Sequence, residues 1–125
     1  MAVYKIFPEK TATLFSYYPT LNTGLDEIVE LSTFESIDGT NEVSRVLIQF
    51  PSSEISDIFT NKVGASSFDC YLKAYLADAS NLPLSYTIES HPLSLNWNVG
   101  TGRLANSPIT TDGVSWEYSH ELGSG

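Results

Sequence analysis

The side chains best suited to acid–base chemistry in this sequence are two pairs of carboxylates, Asp26 with Glu27 and Glu30 with Glu35. Glycoside hydrolysis uses two carboxylates held at a fixed separation across a cleft. Acidic residues of strands that lie near turns are usually solvated, so these pairs favour an exposed surface over a catalytic cleft. We therefore expect a protein that is not an enzyme.

The residues that bind zinc or act as nucleophiles lack the spacing that such chemistry needs. His91 precedes a proline in a turn, and His120 lies near the C-terminus. Cys70 is the single cysteine and falls on the apolar side of an alternating run, where it is expected to be a small core residue. No HExxH pair, GxSxG elbow, phosphate-binding loop or GxGxxG fingerprint occurs. The sequence predicts neither a metal site of this kind nor a bound cofactor.

Calcium is an alternative because oxygen ligands are concentrated in two turn regions. A calcium-binding loop of about 12 residues ends in a bidentate Glu, and Gln49 stands at that position when the loop is counted from Asp38. This mismatch favours solvated turns over a calcium site. The oxygen ligands concerned are those of Asp26, Glu27, Asp38, Asn41 and Glu42.

Length and charge restrict the class of protein. A chain of 125 residues is most simply one domain, residues 1–125, with a flexible Gly-Ser-Gly end at 121–125. The net charge of −9, from 15 acidic and 6 basic residues, repels a phosphate backbone, so nucleic acid is not an expected partner. No run of about 18 apolar residues occurs, and the N-terminus lacks the apolar block of a secretory signal, so no membrane partner is expected.

Alternating apolar and polar residues, separated by Gly, Pro, Asn and Asp, predict strands along most of the chain. One segment breaks this period: apolar residues at helical spacing between Ser53 and Val63 predict one short helix at about 53–63, with Ser52 or Ser53 as the N-cap and Gly64 at the end. The predicted fold is an all-β, jelly-roll-like antiparallel sandwich with that helix. The predicted strands lie within residues 12–17, 25–34, 43–50, 68–77, 84–97 and 113–119.

The strand pattern also predicts which aromatic residues are buried and which are exposed. Both tryptophans are expected between the two sheets, flanking a loop whose only basic residue is Arg103. A sugar-stacking role for a tryptophan is the alternative to this core role. The expected core comprises Phe50, Phe68, Leu72, Trp97 and Trp116, and the expected contacts to a ligand or a neighbouring subunit are Tyr17, Tyr18, Tyr71, Lys73, Tyr75 and Arg103.

Several segments together carry a family resemblance: TATLFSYYPTLNTGLDEIVEL, SRVLIQF followed by SSEI, FDCYLKAYL, NWNVGTG and GVSW. In this order they resemble the DNRLRE-type jelly-roll domains, which look like carbohydrate-binding modules, over roughly residues 8–118. The residues at the family's motif positions are Asn22, Gly24, Arg45, Phe50, Trp97, Gly113, Val114 and Trp116. The opening MAVYKIFPEKTATLFSYYPTLNTGLDEI and the late SPITTDGVSW are also similar to virion structural proteins of tailed phages of marine bacteria.

This resemblance implies a non-enzymatic structural subunit located in the virion, in a tail, baseplate, fibre or capsid decoration. In the family, further strands follow the tryptophan block, whereas this sequence ends at Gly125. Either the chain is the N-terminal part of a longer protein, or a homo- or hetero-oligomeric partner supplies the missing pairing. The alternative function is a carbohydrate-binding module that recognises a cell-surface polysaccharide.

Overall fold

The structure is a computed structural model that describes residues 2–123. Its regular elements all lie in the first half of the chain, and the rest is turns and extended coil. In chain order the elements are β1 (Lys10–Phe15), β2 (Thr33–Glu35), β3 (Asn41–Gln49), the helix α1 (Ser52–Asp57) and a π-helix (Ile58–Val63).

The three strands form one antiparallel sheet in the order β1-β3-β2. The register places Lys10 opposite Gln49 and Phe15 opposite Ser44, while Thr33 lies opposite Val43. On β1, Thr23 acts as a substitute strand neighbour, because its hydroxyl accepts from the N–H of Thr13 at 2.8 Å and donates to the carbonyl of Thr13 at 2.7 Å. The structure is therefore a small β-rich fold, with one three-stranded sheet among the described residues.

The hydrophobic core lies against β1. Ala12, Trp97 and Val114 are its buried members, and half-buried aliphatic residues surround them: Leu14, Leu47 and Val99. The segments around Trp97 and Val114 run side by side, since the N–H of Val114 donates to the carbonyl of Asn98 at 2.8 Å. The late part of the chain thus folds back over the first strand.

The helical segment ends at the expected residue and begins one residue before the expected start. Continuous helical structure runs from Ser52 to Val63, and Gly64 follows with a positive φ of 58°. The predicted N-cap at Ser52 or Ser53 is wrong: Pro51 occupies that position and no side chain caps the helix. Pro51 has a φ of −66° and an extended ψ of 116°, the backbone conformation of an N-cap, and proline has no side-chain hydroxyl that could cap the helix.

Three segments predicted to be strands are not paired as strands among the described residues: 68–77, 84–97 and 113–119. A strand requires a hydrogen-bonded neighbour, and an alternating sequence supplies only the side-chain pattern. For the same reason Phe68 and Leu72, which the pattern places in the core, are exposed. Cys70 is also exposed, which corrects its assignment as a core residue.

The other aromatic residues expected in the core differ in their burial. Trp97 is 4% exposed, whereas Trp116 and Phe50 are only half-buried. Of the predicted flexible end 121–125, residues 124–125 lie outside the described part of the chain. Within the described part, the N–H of Leu122 donates to the carbonyl of Thr111 at 2.9 Å. No helix among residues 2–123 has the length and apolar character needed to cross a membrane.

Candidate functional site

A buried asparagine joins the first turn of the chain to the segment that carries the tryptophans. Asn22 is 0% exposed, and its amide nitrogen donates to the carbonyl oxygens of Val99 at 2.8 Å and Val114 at 2.9 Å. Its amide oxygen accepts from the N–H of Gly102 at 2.8 Å and from that of Gly24 at 3.2 Å. All these bonds are internal, so Asn22 positions the surrounding loops and leaves no amide group for a ligand.

Glycines surround the Asn22 side chain because there is no room for a Cβ. A Cβ added to Gly100 would lie 2.4 Å from the amide oxygen of Asn22, and one added to Gly113 would lie 2.5 Å from the Cα of Gly100. Gly100 also has a φ of +71°, a conformation that L-residues rarely adopt. The turn sequences Asn-Thr-Gly, Gly-Thr-Gly and Asp-Gly-Val therefore form one packed junction.

The loop between the tryptophans is held by side chains that bond to its backbone. Asp112 accepts from the N–H of Thr101 at 2.9 Å and from the hydroxyl of the same residue at 2.5 Å. Both hydrogen bonds lower the pKa of Asp112, and the bond from the Thr101 hydroxyl has the larger effect. Asp26 accepts from the N–H of Leu104 at 2.9 Å, which fixes the other side of the loop.

Arg103, which was predicted to contact a ligand or a neighbouring subunit, lies exposed in this loop. Its N–H donates to the side chain of Asn106 at 2.7 Å, which closes a tight turn around it. At the other tryptophan, the guanidinium of Arg45 stacks 4.8 Å from the ring of Trp116. Trp116 is therefore covered by a cation, and it does not lie between two sheets.

Aromatic and acidic side chains meet on the surface beside β2, and we name this the aromatic-acid surface. Tyr17 contacts Tyr18 with ring centroids 4.8 Å apart and Phe34 at 5.6 Å, both edge to face. An open cavity of about 450 Å³ adjoins these rings. Its lining residues are Tyr17, Phe34, Glu35, Ser36, Ile37, Asp38 and Glu42. Such a surface can stack on a flat apolar face and accept hydrogen bonds from hydroxyl groups.

Two of the carboxylates at this surface are already engaged. Asp38 accepts from the hydroxyl of Ser36 and from the N–H of Thr40 at 3.0 Å. These hydrogen bonds lower the pKa of Asp38 to about 2, and the bond from the Ser36 hydroxyl has the largest effect. Glu42 accepts from the hydroxyl of Ser16. Asp38 is therefore ionised at neutral pH and organises its own turn.

Residues 67–95, which we name the exposed arm, carry the remaining predicted contacts. Tyr71 and Tyr75 are 85% and 82% exposed, and the ammonium of Lys73 lies 5.9 Å from the ring of Tyr75. Among the described residues, the hydrogen bonds made by the exposed arm stay within it. Its N-terminal end is anchored by Phe68, whose ring lies 4.9 Å from that of Phe59.

The C-terminal end of the exposed arm runs beside β3 and leaves a gap. The gap is an open cavity of about 250 Å³. It is lined on one side by β3 and on the other by the end of the arm and the first tryptophan. The lining residues are Val46, Leu47, Ile48, Gln49, His91, Pro92, Leu93, Leu95 and Trp97. The aliphatic face of β3 is thus only partly covered.

The candidate acids and histidines make separate contacts within residues 2–123. Within residues 2–123, no group of three or more His, Cys, Asp and Glu side chains could hold a metal ion. Asp26 bonds the loop backbone, as described above. His91 lies on the surface 3.4 Å from Glu89, and His120 contacts the hydroxyl of Ser119 at 2.9 Å.

The structure distributes the six predicted contact residues over three regions. Tyr17 and Tyr18 belong to the aromatic-acid surface, Arg103 lies in the loop between the tryptophans, and the exposed arm carries Tyr71, Lys73 and Tyr75. The sequence prediction did not include every residue of these regions. It missed Phe34, whose contribution depends on the pairing of β2 with β3. In comparisons with family models, curated proteins and solved structures, the chain matches none of them. The resemblance to DNRLRE-type domains therefore stays a prediction.

Proposed function

We propose that this protein is a non-enzymatic structural subunit of a tailed-phage virion and acts through protein–protein contacts. The observation that carries the proposal is the exposed arm. Its large apolar side chains are exposed, and its backbone forms no hydrogen bond with the rest of the described chain. The exposed large apolar side chains of the arm include Phe68, Tyr71, Leu72, Tyr75, Leu76, Leu82, Leu84, Tyr86, Ile88, Leu93 and Leu95.

An apolar patch of this extent is typical of a protein that works inside an assembly. Extended backbone without a strand neighbour can add to the sheet of another chain, which satisfies its N–H and C=O groups. In the assembled state we propose a jelly-roll-like β-sandwich in which residues 68–77 and 84–95 take up strand pairing. This proposal accounts for the alternating apolar and polar residues of these segments, which are not paired as strands in the isolated chain.

Composition analysis of purified particles tests this function directly. Particles of the phage that encodes the chain are purified, washed in high salt and analysed by quantitative mass spectrometry. We expect the chain at a constant copy number relative to the major capsid protein, in every preparation. Absence from the particles, or a copy number that varies with washing, contradicts a structural role.

The second candidate is a carbohydrate-binding module, and the aromatic-acid surface favours it. Tyr17 and Phe34 offer exposed aromatic rings beside the carboxylates of Glu35 and Glu42, a combination that suits sugar rings and their hydroxyl groups. A glycan array probed with the purified chain tests this function. Retention should be lost in Tyr17→Ala and Phe34→Ala and kept in the control Tyr86→Ala, whose ring lies outside this surface.

A further inference from the structure

The solvent-accessible surface of the chain is larger than that of a compact monomer of the same mass. A compact monomer of 13.7 kDa exposes about 6,600 Å², whereas this chain exposes 9790 Å². The excess of about 3,000 Å² per chain exceeds the roughly 800 Å² that each partner contributes to a standard interface. Obligate homodimers bury about 2,000–5,000 Å² or more over both partners, so an excess of this size is sufficient for such an interface.

The chemistry of the exposed arm fits an apolar partner better than a charged one. Its 29 residues include three acids and one base: Asp69, Asp78, Glu89 and Lys73. The other 12 of the 15 acidic residues lie outside the arm. Two copies can therefore meet at their arms without opposing most of their negative charge, although a net charge of −9 disfavours contact elsewhere.

We infer that the exposed arm is the interface through which a second copy of this chain binds. In a two-fold dimer, the same surface of each copy faces its equivalent, so one apolar, weakly charged segment suffices for both sides. The open cavity between β3 and residues 91–97 is lined in part by the end of the arm, and β3 contributes further aliphatic surface there. This inference rests on the proposed function and names the partner that the subunit first binds.

The native mass of the full chain, measured over a range of concentrations, is the first test. We expect about 27 kDa, twice the mass of one chain, with dissociation to the monomer only on dilution. Hydrogen exchange of residues 67–95 should be at least about tenfold slower in the dimer than in the diluted monomer. A monomer at every concentration overturns the inference, whether or not its arm is protected from exchange.

A matched pair of variants separates the arm from the rest of the surface. Leu72 and Ile28 are both 65% exposed, and only Leu72 lies in the arm. Leu72→Asp should raise the dissociation constant of the dimer at least about tenfold, and Ile28→Asp should leave it within about twofold. Equal effects of the two variants overturn the assignment of the interface to the arm.

A measurement on the unaltered sequence covers the case in which Leu72→Asp fails to fold. Cys70 is the only cysteine, lies in the arm and is exposed, so one spin label can be attached per chain. A short dipolar distance between two labels, lost on dilution with unlabelled chain, supports the inference, and its absence at dimer-forming concentrations overturns it. The proposed function is judged separately, by the presence of the chain in particles.

Discussion

The side-chain amide of Asn22 donates a hydrogen bond to the carbonyl oxygen of Val114 at 2.9 Å, across 92 positions of the chain. The same amide group bonds Val99, 77 positions away. One buried side chain thus connects the turn after β1 to both sides of the loop between the tryptophans. This polar junction complements the small apolar cluster around Trp97 in holding the two parts of the chain together.

Replacement of Asn22 should destabilise the fold more than its size suggests. Asn22→Ala leaves the carbonyl oxygens of Val99 and Val114 and the N–H of Gly102 without their buried partner. Each unsatisfied buried group costs about 1–3 kcal/mol, so we expect a loss of roughly 3 kcal/mol in the free energy of unfolding. Urea unfolding measures it. Asn61→Ala, on an exposed helix, is the control and should change stability by less than about 0.5 kcal/mol.

Two glycine substitutions separate steric overlap from backbone strain. Gly64 has a φ of 58°, and no atom lies within 4 Å of the position that a Cβ would take, so Gly64→Ala reports strain alone and should cost about 1–2 kcal/mol. Gly100→Ala adds an overlap with the Asn22 amide at 2.4 Å. Its loss in unfolding free energy should be clearly larger. Similar losses in unfolding free energy for the two variants would show that the atoms around Asn22 move at little cost to accommodate a Cβ at Gly100.

The two tryptophans should differ in their contribution to stability. Trp97 is buried in the cluster with Ala12 and Val114, so Trp97→Ala should cost about 3–5 kcal/mol in the free energy of unfolding. Trp116 is half-buried and stacked against Arg45, so its removal should cost less. Urea unfolding of both variants measures the order. A larger loss for Trp116→Ala would contradict the position of Trp97 in the core.

The hairpin turn between β2 and β3 should be sensitive to acid. The pKa of Asp38 is lowered to about 2, and a carboxyl group with a lowered pKa stabilises the fold above its unfolded pKa. That contribution is complete above about pH 4 and is lost as the pH falls towards 2. Carboxyl ¹³C NMR titration should give a midpoint near 2 for Asp38.

The Ser36 hydroxyl is the largest cause of this shift, so Ser36→Ala should raise the pKa of Asp38 towards its ordinary value near 3.8. The control Ser53→Ala lies on α1, away from the turn, and should leave the titration midpoint of Asp38 where it is. An equal midpoint in all three proteins would mean that the turn does not hold the carboxylate.

Local sequence signals predicted the elements whose side-chain pattern or turn residues lie within one short segment. The alternation in VSRVLIQF predicted a strand, which is β3, and the helical spacing of Ile55, Ile58 and Val63 predicted the short helix. The Asp-Gly-Thr run predicted a hairpin or loop, and the structure has a turn there between β2 and β3. These signals act within a few residues, so the sequence displays them directly.

The surroundings of the predicted contact residues depend on backbone pairing, which the sequence does not specify. Alternation in the exposed arm predicts which side chains share a face, yet it does not say which neighbour pairs with the backbone. Phe68 and Leu72 were therefore expected in a core that the chain does not form by itself. Tyr17 was predicted to be a contact residue, whereas Phe34 was not named, because its position beside Tyr17 depends on the pairing of β2 with β3.

The sequence by itself determined the charge, the period of each segment, the helical stretch and the glycines at the turns. Only the tertiary structure decided that Asn22 is buried, that Trp97 rather than Trp116 lies in the core, and that the arm remains exposed. Composition and period are properties of neighbouring residues. Burial and hydrogen bonding between residues 77 to 92 positions apart depend instead on how distant segments of the chain pack against each other.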